Sequence, residues 1–127
     1  MDTTHHSFND MSERIIRCAY TVSNTLGAGF LEKVYENALV HELRKAGFQV
    51  TQQATAAVVY DGVIVGNYIA DIVVENTILM EIKAVRALDK IHGAQCLNYL
   101  RAMGLRLCLL LNFGNPRLEI RRLAYRL

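Results

Sequence analysis

Val65-Gly-Asn-Tyr-Ile-Ala-Asp71 and Thr77-Ile-Leu-Met-Glu-Ile-Lys-Ala-Val85 are the two stretches from which the fold is read. The first ends in a lone acid; the second carries Glu81 and Lys83 two positions apart in an otherwise apolar run. In a strand, residues i and i+2 share a face, roughly 6.5–7 Å apart. Glu81 and Lys83 therefore point one way and Ile82 the other. Unpaired charge is costly to bury in so apolar a segment. These groups need partners: either one another, as a buried salt-bridge cluster, or a ligand. Two carboxylates and an ammonium at one spot suit a divalent cation and a phosphate.

The chain around these runs supplies a mixed architecture. Ile15, Ile16, Ala19, Val22 and Leu26 recur at helical spacing from about Asn9 to Leu26, and Gly27 and Gly29 break the pattern. Leu31, Val34, Ala38 and Leu39 mark a second helix to Ala46, with Gly47 placed to close it. Phe48 to Tyr60 is rich in Thr, Val and Ala without a helical stripe, and Asp61-Gly62 is a hairpin turn signal. Val63 to Glu75 returns, Asn76-Thr77 turns again, and Ile78 to Val85 is a third strand. Asp89 is placed to cap a helix from Lys90 to about Met103, which Gly104 stops. Leu105 to Phe113 reads as a central strand buried on both faces. Gly114-Asn115-Pro116 turns the chain into Arg117 to Tyr125, which alternates apolar residues with arginines as an edge strand would. The order ααβββαββ implies an α/β (α+β) fold, a mixed sheet flanked by helices.

One hundred and twenty-seven residues suit one domain over 1–127, with residues 1–8 expected to be a disordered end. No apolar run reaches the ~18 residues that would span a bilayer. The polar start lacks the order of a signal peptide. Cys18, Cys96 and Cys108 are odd in number and form no Cys-x-x-Cys, which implies free thiols in a reducing compartment, the cytoplasm. The net charge of +2 hides an asymmetry: residues 83–127 carry nine bases and two acids, residues 1–82 five bases and ten acids. A basic half beside an acidic pocket suits a polyanion; an uneven solubilising surface gives the same count.

Several short motifs now fall into one order. Gly29-Phe-Leu-Glu32-Lys-Val-Tyr35 fits GxxExxY. Asp71 and Glu81-Ile82-Lys83 look like the second and third motifs of the PD-(D/E)xK nuclease-like superfamily. Gln95-Cys-Leu-Asn-Tyr99 looks like its QxxxY extension, and Asn112-Phe113-Gly114 before an Arg-rich strand also matches. From about residue 10 to 125 the chain resembles the small GxxExxY proteins of that superfamily. It departs from their pattern at Ile69, where an Arg is common, at Ser23, where a His is common, and at Cys108, where a Gly is usual.

The resemblance implies a restriction-endonuclease-like core and a Mg²⁺ (or Mn²⁺) site held by Asp71, Glu81 and the Ile82 carbonyl. It implies that Glu32 completes or orients that shell, that Lys83 meets the scissile phosphate or attacking water, and that Gln95 and Tyr99 support the site from the third helix. Tyr35 reads as a core residue. Arg121 and Arg122 are the expected nucleic-acid contacts, alternatively an exposed edge. Two functions follow: a Mg²⁺-dependent nuclease acting on DNA or RNA, or a non-catalytic module binding nucleic acid or a protein. A chain this short would need a homodimer or a protein partner to grip its substrate.

Overall fold

The computed structural model describes residues 3–126, with the side chains of residues 9–126. The elements are α1 (Thr3–Leu26), α2 (Glu32–Lys45), β1 (Val50–Tyr60), β2 (Val63–Val74), β3 (Ile78–Lys83), α3 (Lys90–Met103), β4 (Leu107–Asn112) and β5 (Glu119–Ala124). The strands form one sheet in the order β1-β2-β3-β4-β5. Every neighbouring pair is antiparallel except β3 and β4, which run parallel with α3 as their crossover. This is the α+β, ααβββαββ arrangement expected from the sequence.

The alternation of side chains on β3 and β4 explains the layering. Ile78, Met80, Ile82, Leu107, Leu109 and Leu111 pack into one core with α1 and α2. Leu79, Cys108 and Leu110 pack into a second with Cys96 and Leu100 of α3. All six residues of β4 are buried, as a strand covered on both faces requires. Cys96 and Cys108 are buried free thiols; Cys18 is half-buried.

The element ends show where tertiary contacts override local pattern. α1 begins at Thr3 rather than near Asn9; the expected disorder of residues 1–8 falls outside the described side chains. Asp61 and Gly62 take φ of 52° and 76°, the hairpin geometry their identities favour. The second turn is centred on Glu75 and Asn76, φ 53° and 51°, one residue earlier than expected. β4 starts only at Leu107, because the Leu105 N–H donates to Leu100 O and belongs to the end of α3 at Gly104. At the other end of α3, Asp89 accepts from the Ile91 N–H, and His92 Nδ1 accepts from the Asp89 N–H. His92 thus closes a capping box.

β3 ends at Lys83, two residues short of the expected Val85. The Phe113 N–H donates to Lys83 O at 2.8 Å, and the fully buried Asn112 side chain then takes over. Its Oδ1 accepts from the Val85 N–H (2.9 Å) and the Gly114 N–H (3.0 Å). Its Nδ2 donates to Val85 O (2.9 Å) and Glu119 Oε1 (3.1 Å). These bonds lead the chain away from the sheet directly after Lys83. Among the described residues, no helix is long and apolar enough to cross a membrane.

This close approach fixes residue 114 as glycine. A Cβ there would lie 2.1 Å from Val85 O. Gly114→Ala is expected to destabilise the protein by roughly 3 kcal/mol or more, because the clash is with backbone that cannot yield cheaply. In Gly93→Ala the new Cβ meets only Leu123 Cδ2, at 3.4 Å. That change within α3 should be neutral or stabilise by up to about 1 kcal/mol through helix propensity. Denaturant melts of the two variants check both; a wild-type midpoint for Gly114→Ala would refute the clamp.

Candidate active site

The backbone ladder between β2 and β3 stops where the acids begin. Its pairs are Val74↔Ile78, Val73↔Leu79 and Ile72↔Met80. At the next position side chains replace the rungs. The Asp71 N–H donates to Glu81 Oε2 and the Ile82 N–H donates to Asp71 Oδ2, both at 2.8 Å. Each acid therefore satisfies the other strand's backbone, and the strands separate at the end of the hairpin away from its turn. Leu79 belongs to the core on the α3 side, so Glu81 and Lys83, at two-residue steps from it, project to that side. The Ile82 side chain is buried in the opposite core, leaving only its backbone to the site.

The other neighbour of Asp71 is also irregular. β1 pairs Gln52 with Ile72 and Ala54 with Ala70 but omits Gln53 opposite Asp71. Gln53 has φ 55°, a left-handed conformation that costs a non-glycine residue about 1–3 kcal/mol. The register is the same on both sides, so no residue is inserted. The twist lets adjacent residues, which a regular strand would send to opposite faces, converge: Gln52 Nε2 and Gln53 Nε2 donate to Glu36 Oε2 at 2.6 and 2.8 Å.

α2 brings two more carboxylates. The buried Tyr35 hydroxyl donates to Gly27 O (2.6 Å) and accepts from the Phe30 N–H (3.1 Å). Its ring stacks on Phe113 at 4.9 Å. Gly29 at φ 115° lets the loop turn, and α2 begins at Glu32. Tyr35 is thus a core residue, as expected, and it also pins the loop that presents Glu32. Glu36 lies one turn further on the same helix face, 2% exposed. The sequence reading passed over it. It accepts from Lys33 Nζ at 3.2 Å as well as from the two glutamines. The signal was present in its i+4 spacing from Glu32 and in a Gln pair within a Thr/Ala-rich strand.

Burial and mutual repulsion set the electrostatics. Burial pushes the Glu81 carboxyl up from 4.5 to about 8, and the Asp71 charge adds to this against the bond from the Asp71 N–H. Asp71 is also raised, first by burial and then by the Glu36 charge, with the bond from the Ile82 N–H and the Lys83 ammonium opposing. Glu32 is raised by burial; Lys83 lowers it while Asp71 and Glu36 raise it. Asp71 and Lys83 thus both act on the Glu32 carboxyl, and Lys83 acts on Asp71.

A family model described as the PD-(D/E)XK nuclease superfamily matches residues 9–123, from α1 through β5. The chain belongs to the PD-(D/E)XK nuclease superfamily. No curated protein and no solved structure gives a match. The donor set of this PD-(D/E)XK protein fits a hard divalent cation: two carboxylates, each with one oxygen outside the two backbone bonds, and both held above their ordinary range by burial. Among the described residues, no group of three His, Cys, Asp or Glu side chains is close enough to hold a metal ion alone. Backbone oxygen and water would have to complete the shell.

The remaining expected residues divide by position. Tyr99 is half-buried on α3, its phenol raised by burial and then by the Glu81 and Asp71 charges. Gln95, one turn earlier, is exposed. Arg121 and Arg122 lie on β5, which β3 and β4 separate from β2. Arg121 Nη2 donates to Leu88 O at 3.3 Å. Arg122 donates to Ser12 Oγ and Asn9 Oδ1, both at 3.2 Å. These guanidiniums tie β5 to its neighbours.

The raised Glu81 carboxyl has a pH signature. A fold that favours the neutral acid gains stability fully below the unfolded value near 4.5 and loses it as pH rises through about 8. Metal-free protein should therefore melt at progressively lower temperature across that window, and Glu81→Gln should flatten the profile. Thermal melts by circular dichroism against pH measure it. Parallel profiles for the two proteins would show that Glu81 is ionised throughout.

Proposed function

We propose that this PD-(D/E)XK protein is a divalent-cation-dependent phosphodiesterase acting on DNA or RNA, of the GxxExxY branch. The observation that carries the reading is the Asp71/Glu81 pair at the parted end of β2 and β3, with Lys83 on the same strand face. Such a pair is a poor stabilising device, since burial and like charge both oppose its ionisation. It is a suitable receptor for Mg²⁺ or Mn²⁺. Asp71, Glu81 and the Ile82 carbonyl are the proposed ligands. A bound ion supplies an acidified water and charge neutralisation at the phosphoryl oxygens.

The chain's own groups account for the rest. Lys83, fixed by the clamp on its carbonyl and on Val85, holds the scissile phosphate and offsets charge that builds there. Glu32, whose carboxyl feels the Lys83 and Asp71 charges, orients them. Tyr99, with Gln95 one turn before it, supports the site from α3. The internally bonded Arg121 and Arg122 present fixed positive charge on the far edge, a surface for the phosphate backbone. One observation favours the alternative of a non-catalytic binding module, namely the absence among the described residues of a third close metal-binding side chain.

Two measurements separate the readings. Calorimetric titration with Mn²⁺ should show binding to the native protein and its loss in Asp71→Asn. Metal-dependent cleavage of labelled DNA or RNA should fall by about 10²-fold or more in Lys83→Ala, the usual cost of removing one such electrostatic group, with Mn²⁺ affinity little changed. Native protein that binds Mn²⁺ no better than Asp71→Asn and cuts neither polymer would establish the module instead.

A further inference from the structure

Only Ile72, Val73 and Val74 of β2 pair with β3. The rest of the β1–β2 hairpin extends past the sheet beside α3. There it walls a cavity of about 500 Å³ whose lining includes Tyr68, Asn98, Arg101 and Tyr125. The Tyr68 ring meets Tyr99 edge to face at 4.9 Å. The Glu81 and Asp71 charges act on the Tyr99 phenol. Tyr68 is also three residues before Asp71 on the same strand, about 10 Å along it. The cavity therefore lies between the β1–β2 hairpin and α3, and the Tyr68–Tyr99 contact links it to the helix that packs beside the acids' strands.

Its chemistry is specific. Tyr68 and Tyr125 are half-buried, whereas Asn98 and Arg101 are exposed at the rim. The Arg126 guanidinium lies over the Tyr125 ring, 5.3 Å from its centroid. Residues 90–118 carry four Lys or Arg and no acid. Aromatic faces, an amide that both donates and accepts, and guanidiniums at the mouth match a nucleobase with its phosphate. A base inside a duplex offers only its edge; an unpaired base offers its face to a tyrosine.

We propose that this cavity receives an unpaired base of the substrate strand, so that the protein acts on single-stranded nucleic acid. The proposal rests on the phosphodiesterase reading of Asp71 and Glu81. Tyr68 supplies the stacking surface, Asn98 the hydrogen bonds to the base, and Arg101 the contact to the flanking phosphate. These features are common to DNA and RNA, so both enter the test.

Fluorescence anisotropy is measured with end-labelled oligothymidine and oligouridine of eight nucleotides and with a duplex of equal length, in EDTA so that no strand is cut. At least one single strand should bind more tightly than the duplex. Tyr68→Ala and Arg101→Gln should each weaken it about tenfold, in line with the loss of one stacked base or phosphate contact. Tyr68→Phe, which keeps the ring, should retain the binding. Oligothymidine bound in preference to oligouridine would assign DNA, and the reverse RNA. Duplex bound as tightly as both single strands, or Tyr68→Ala binding like wild type, would overturn the base cavity while leaving the phosphodiesterase reading intact. Binding of no oligomer at low salt would overturn the base cavity, and the Mn²⁺ titration and cleavage assay then decide the phosphodiesterase reading separately.

Discussion

Two carboxylic acids side by side, Glu81 buried and Asp71 half-buried, constrain the whole structure around β2 and β3. Water would ordinarily solvate them, and neither strand offers a full replacement. The partial solution is reciprocal: each carboxylate accepts the backbone N–H that the opposing strand would otherwise leave unpaired. The rungs of the sheet are kept, in altered form, and the strands part without orphaned donors. No buried side-chain nitrogen or oxygen among the described residues lacks a hydrogen-bond partner. The remaining repulsion is not removed, as the upward shift of Glu81 and Asp71 shows.

The neighbouring irregularities share that origin. Gln53 leaves the β1–β2 ladder opposite Asp71 and adopts a left-handed backbone. In doing so it joins Gln52 in donating hydrogen bonds to Glu36, a third acid whose charge Lys33 pairs. Below the site, Asn112 uses both ends of its amide to hold Val85 on one side and Gly114 and Glu119 on the other. A buried amide with every group bonded is rigid, and the segment it holds is the one that follows Lys83. Strain on one side of the site and clamping on the other keep the charged residues in place.

Much of this was legible in the sequence because it depends on local periodicity. The two-residue spacing of Glu81 and Lys83, the Asp61-Gly62 turn and the continuous apolar run of β4 each dictate their geometry without distant help. What was not legible depends on residues far apart in the chain. β3 stops at Lys83 because Asn112, twenty-seven residues past Val85, claims that peptide. The start of β4 is delayed because Leu105 closes α3. Glu36 reads as an ordinary helix acid until the positive φ at Gln53 turns two glutamines toward it. His92 shares a face with Gln95 and Tyr99 by spacing, yet its ring is used to cap its own helix.

The acids' service as rungs bears on how such a protein can change over generations. Each of Asp71 and Glu81 supplies an acceptor to the other strand's N–H, so selection for folding alone would tend to preserve an oxygen acceptor at both positions, with or without catalysis. Their presence in a related chain is therefore weak testimony to chemistry. The Lys83 side chain makes neither of those two bonds, and the clamp from Asn112 and Phe113 acts on backbone that any residue at position 83 would supply. What the fold draws from the ammonium is its charge, which offsets that of Glu32, Asp71 and Glu81. On the phosphodiesterase reading proposed above, the lysine rather than the carboxylates is the residue to inspect among relatives of this fold when sorting working enzymes from silent scaffolds.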